Sequence, residues 1–117
     1  MNISELYTYK ATVVRVLDGD TAELIIDLGF TVKWKSTCRF YGINTPELNS
    51  KDENERMLAN AAKDFTKKHL NDGSVILIKS KALDKYGRPL VDIYCGENYN
   101  IHLNDELIKA DLAKIFK

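Results

Sequence analysis

Cysteine is scarce in this 117-residue sequence: Cys38 and Cys95 are the only two. That excludes a disulfide framework. Neither has a close His or Cys neighbour, which excludes a zinc site. Both lie in strand-like, apolar surroundings and are expected as buried free thiols. No run approaches the roughly 18 apolar residues of a membrane span. Excess charge is missing too, with 17 Lys+Arg against 17 Asp+Glu. Bulk attraction to a polyanion is therefore excluded as the main driver of binding, and only a local patch can supply it. Internal repeats, linkers and low-complexity segments are absent. Met1-Asn2-Ile3-Ser4-Glu5 lacks the basic and apolar regions of a signal peptide. A cytoplasmic location is expected, or a secreted one where a leader has been removed. What is present, 44% hydrophobic and 29% charged residues, fits one globular domain over residues 1–117.

Periodicity divides the chain. Tyr7–Leu17 reads as a strand, and Asp18-Gly19-Asp20 as a tight turn in which Gly19 supplies a positive φ. Ala22–Leu28 is a second strand with Ala22, Leu24 and Ile26 on one face. Thr31–Tyr41 is a third, with Val32, Trp34, Cys38 and Phe40 on one side and Lys33, Lys35, Thr37 and Arg39 on the other. Pro46 breaks the pattern. From Asp52 to Leu70 the period is helical, with Leu58, Ala61, Ala62, Phe65 and His69 on the apolar face. Strands follow at Val75–Lys79 and Leu90–Cys95, separated by a polar loop over Lys81–Gly87. Gly96-Glu97-Asn98 turns into a short strand, Tyr99–Leu103, and Asn104 reads as the N-cap of a last helix carrying Leu107, Ile108, Leu112 and Ile115. Three strands, a helix, more strands and a final helix predict an α+β, mostly β fold. It is a small antiparallel barrel of the OB type, with a helix inserted after the third strand and a C-terminal helix.

Four polar clusters fall at strand ends or turns, where a rigid scaffold can hold functional groups. They are Asp18-Gly19-Asp20-Thr21, Arg39, Asn44-Thr45-Pro46-Glu47 and Asp84-Lys85-Tyr86-Gly87-Arg88. Together they carry the logic of phosphodiester hydrolysis. Asp20 supplies an anionic oxygen for a hard divalent cation such as calcium. Glu47 can activate or orient water. Arg39 and Arg88 can grip phosphate oxygens and stabilise charge that builds in the transition state. Lys79, Lys81, Lys85 and Arg88 face Asp84 alone in their stretch of chain. With Tyr86 they form a patch suited to tracking a phosphate backbone.

These motifs, in this order from about Lys10 to Ile115, resemble the staphylococcal (micrococcal) nuclease family, the thermonucleases. The resemblance implies a five-stranded OB barrel and calcium-dependent endonucleolytic cleavage of DNA and RNA, leaving 3′-phosphates. It implies that Asp20 ligates the metal and that Thr45 does so through its carbonyl. Arg39, Arg88 and Glu47 match catalytic residues. Lys85 and Tyr86 match residues contacting the nucleotide's terminal phosphate. One departure stands at the metal: the family usually has Asp where this chain has Asn44. An amide oxygen can still ligate, but without charge, so weaker calcium binding is expected, and another divalent cation could take its place. The best-known members also add a third helix and a nucleotide-stacking aromatic beyond this point, so a barrel face is expected to be left open, covered by a partner copy, or completed by chain outside this sequence. The expected partner is DNA or RNA rather than a membrane, and a monomer is expected ahead of self-association. The rival reading is a catalytically weak or inactive OB-type module that binds nucleic acid or protein.

Overall fold

Apolar alternation in five strands rolls the chain into a closed barrel. The computed structural model describes residues 3–116; residues 1, 2 and 117, at the ends of the domain expected from the sequence, lie outside them. Strand β1 is Thr8–Asp18, β2 Thr21–Gly29 and β3 Val32–Phe40. After a two-residue strand β4 (Ile43–Asn44) comes helix α1 (Glu53–His69). Then follow β5 (Val75–Leu83), β6 (Pro89–Cys95), β7 (Ile101–His102), helix α2 (Leu103–Lys109) and β8 (Lys114–Ile115).

The barrel runs β3-β2-β1-β5-β6 and closes where β3 meets β6. The expected five-stranded OB-type barrel is present, with one difference. The closing seam is parallel, Arg39 opposite Leu90 and Phe40 opposite Val91, while the other barrel pairings are antiparallel. Register shifts in β1 and β5 bend those strands around the barrel. The inward residues fill one core: Ala11, Val13, Leu24, Ile26, Cys38, Phe40, Ile76, Ile78, Val91 and Ile93 are all buried. Cys38 and Cys95 are free and buried, and burial pushes their thiols up to about 12 and about 11; at Cys95 the Glu106 charge adds to it.

Helix α1 spans the expected residues and is capped by Asp52, whose side chain accepts from the Asn54 N–H. Its buried face is rotated from the expected one: Ala59, Ala62 and Thr66 face inward, whereas Leu58 and Ala61 are exposed. The cause is Gly19. A Cβ there would lie 2.7 Å from the Ala62 Cβ, so only a side-chain-free turn against small helix residues allows this approach. Gly19 is thus a packing glycine, not the positive-φ glycine expected; the other five glycines have positive φ.

Three further expectations change. Strand β5 runs on to Leu83, since Ala82 and Leu83 pair with Leu90 and Pro89, so the expected polar loop shrinks to its last residues. Of the short strand expected over Tyr99–Leu103, only Ile101–His102 pairs; Glu97–Tyr99 form a helical turn. Helix α2 stops at Lys109, and Ile115 lies in β8, opposite Ile43. Asn104 sits inside α2, 2% exposed, and caps nothing. Its amide accepts from the Ile93 N–H at 2.9 Å and donates to the Tyr41 and Val91 carbonyls at 3.0 and 3.1 Å. It therefore pins α2 across the seam where the barrel closes.

Candidate active site

The β1–β2 turn carries Asp20 and is fixed from below. Thr66 donates its hydroxyl to the Gly19 carbonyl at 2.7 Å, and the Phe40 N–H donates to the Asp20 carbonyl at 2.8 Å. The Asp20 carboxylate is buried. One oxygen accepts from the Thr21 hydroxyl at 2.9 Å, the other from the Thr45 N–H at 3.1 Å. The second bond ties the Asp20 turn to the loop after β4.

Arg39 stands at the end of β3, its backbone paired with Thr21 on one side and Leu90 on the other. Its Nη2 donates to Asn44 Oδ1 at 2.6 Å and lies 3.5 Å from Asp20 Oδ2. Arg88 closes the β5–β6 loop. Its Nε donates to Asp84 Oδ2 at 2.7 Å. Asp84 Oδ1 accepts from the Tyr86 and Arg88 N–H groups at 2.8 and 2.9 Å. One carboxylate therefore shapes the loop and aims the guanidinium. Desolvation raises the Asp84 carboxyl, but the hydrogen bonds from Arg88 and Tyr86 and the Arg88 charge outweigh it, leaving the group below its ordinary range. Asp18 moves the other way: burial, then the Asp20 charge, raises it against the pull of Lys63 and Arg39.

Asp20, Arg39, Asn44, Thr45, Glu47 and Arg88, with Asp18, Thr21 and Pro46, line one cavity of about 200 Å³. Six of the eight predicted site residues are thus gathered from four separated segments. The other two, Lys85 and Tyr86, line a neighbouring, mostly apolar cavity of about 850 Å³ that shares Arg39 and Arg88 as its wall. Lys85 Nζ lies 5.2 Å from the Tyr86 ring centre, and the Arg88 guanidinium 5.6 Å from it. Lys33 and Lys35 pair with Asp27 and Ile25 further along β3; neither lines either cavity. Sequence reasoning gave no role to Thr21, Thr66 or Asp84. A signal existed only for Asp84, which precedes a Gly-containing turn.

The donors at the polar cavity are hard oxygens, the type a divalent cation such as calcium takes. Asp20 supplies charge at the proposed metal position, and Asp18 and Glu47 add carboxylates to the same cavity. Both Asp20 oxygens accept one hydrogen bond each and keep lone pairs free. In kind, the set fits a calcium ion. In number it is sparse. Among the described residues no three Asp, Glu, His or Cys side chains converge as a ready cage, and Asn44 Oδ1 is engaged by Arg39. Such a set suits an ion that keeps much of its water shell.

A family model described as "Staphylococcal nuclease homologue" matches residues 37–117. A thermonuclease of Staphylococcus hyicus is 35% identical over 108 residues, which cover 92% of this chain and 58% of the relative. A thermonuclease of Staphylococcus intermedius is 38% identical over 103 residues, covering 87% of this chain and 56% of the relative. The chain spans a little over half the length of these relatives.

Proposed function

The chain belongs to the staphylococcal nuclease family, and from that premise we propose that it is a calcium-dependent endonuclease acting on DNA or RNA. The observation that carries this reading is the shared cavity. Two guanidinium groups, three carboxylates and two further oxygen donors face one small polar space. Such a set suits a phosphodiester that gains charge as water attacks it.

Asp20, Asn44 and the Thr45 carbonyl would hold the cation. When bound, it supplies Lewis-acid polarisation of a phosphate oxygen. Arg39 and Arg88 bind the phosphate oxygens, from opposite anchors, and oppose the charge that builds on them. Asp84 keeps Arg88 in place for this. Glu47 takes up the proton of the attacking water, or orients that water. Lys85 and Tyr86 bind the nucleotide's terminal phosphate in the adjoining cavity.

Asn44 favours a second reading, a binding module with little or no catalysis. It removes a negative charge from the metal position, and Arg39 already occupies its oxygen. Labelled single-stranded DNA and RNA, incubated with calcium from micromolar to tens of millimolar and with chelator, separate the two readings. The nuclease reading predicts cleavage that chelator abolishes, and an Asn44→Asp variant that reaches half activity at lower calcium. Binding without cleavage at any calcium or manganese level, in both proteins, supports the module.

A further inference from the structure

The two site arginines are built alike, and that likeness extends to a residue with no role so far. Arg88 has one polar anchor, Asp84, and one aromatic ring against its guanidinium, Tyr86 at 5.6 Å. Arg39 has one hydrogen-bonded anchor, Asn44, a looser ion pair with Asp20 at 3.5 Å, and the Phe116 ring at the same 5.6 Å. We propose that Phe116 is a positioning residue for Arg39: its ring backs the guanidinium and aims it into the polar cavity.

The geometry gives the ring work to do. The Arg39 backbone is held on both sides, by Thr21 and by Leu90. The side chain is held less well. Its short hydrogen bond to Asn44 fixes one nitrogen, and the Asp20 oxygen at 3.5 Å is at ion-pair rather than hydrogen-bond reach. A guanidinium pinned at one nitrogen can still swing about that contact. A ring against it removes that freedom and attracts the cation. The segment bearing the ring is itself fixed. Ile115 pairs with Ile43 and Lys114 with Asn44, and the Phe116 N–H donates to the Gly42 carbonyl at 2.9 Å. One strap thus holds both the backbone of Asn44, which anchors Arg39, and the ring that backs it. Phe116 is 57% exposed and is not part of the hydrophobic core.

The consequence for rate rests on the nuclease reading, so the test has two readouts. The first is independent of activity: the Nε–Hε resonance of Arg39. It lies upfield in the wild type and in Phe116→Tyr, and moves downfield in Phe116→Leu, while the Arg88 resonance stays in place. The second is steady-state cleavage. An exposed cation–π contact corresponds to about a two- to fivefold change. Phe116→Leu is expected to lose about that much in kcat with KM unchanged, and Phe116→Tyr to keep the wild-type rate. Phe116→Met repeats the test if the Leu variant melts early. An Arg39 resonance that is the same in wild type and Phe116→Leu overturns the proposal, as does a Leu variant with wild-type kcat. If the wild type cleaves nothing, the nuclease reading fails and the resonance alone decides the positioning role.

Discussion

Asp20 owes its position to a missing atom three bonds from its own backbone nitrogen. Gly19 lets the β1–β2 turn press on Ala62, and Thr66 then reaches the Gly19 carbonyl. Gly19→Ala forces a methyl into a gap that does not exist. We expect a loss of ~1–3 kcal/mol in urea unfolding, together with weaker cleavage as Asp20 shifts. Adding Ala62→Gly should recover part of the stability; no recovery would place the strain elsewhere. The composition of the Asp-Gly-Asp turn was legible in the sequence, but the reason for its glycine was not. Positive φ is the usual reason, and a close approach from a helix over 40 residues away leaves no local mark.

At the scale of the element, the β5–β6 loop is organised by Asp84. Its carboxyl is held below the ordinary value of 3.8, mainly through hydrogen bonds that overcome desolvation. A depressed carboxyl contributes stability that is present above the unfolded value and is lost as pH falls through the folded one. Asp84→Asn should therefore lower Tm at pH 7. The gap from wild type should narrow below pH 3.8 and vanish further down. Melting curves against pH check this; a gap that stays constant into acid would mean the charge on Asp84 is irrelevant. The elements themselves were mostly readable. Strands β1, β2 and β3 and helix α1 carry strong periodicity, and their bounds fall within about two residues of expectation. The sequence alone extends helix α2 too far because Leu112 and Ile115 continue a helical spacing, yet Ile115 pairs with β4 across the fold. The sequence alone points to the wrong face of α1 because Leu58 looks like a core residue, whereas it lines an open cavity of about 440 Å³ and the face that packs on Gly19 carries Ala62.

At the scale of the molecule, barrel closure brings the site together. The parallel seam between β3 and β6 places Arg39 beside Leu90, two residues from Arg88. Asn104 secures that seam with three hydrogen bonds from α2. Asn104→Ala leaves the buried Ile93 N–H without its partner and should cost roughly 2–4 kcal/mol. Urea unfolding measures it; a loss below about 0.5 kcal/mol, the range of an ordinary surface change, would show that the seam holds without it. An Asn before Asp-Glu looks like a cap, so only the closed barrel reveals this role. The central claim is that the cavity around Asp20, Arg39, Glu47 and Arg88 hydrolyses phosphodiesters. Single-turnover cleavage of labelled single-stranded DNA in saturating calcium, wild type beside Glu47→Gln, tests it most directly. We predict a fall of about 10²-fold or more in rate, with Tm and DNA binding unchanged. A Glu47→Gln protein that cleaves at the wild-type rate would contradict the account.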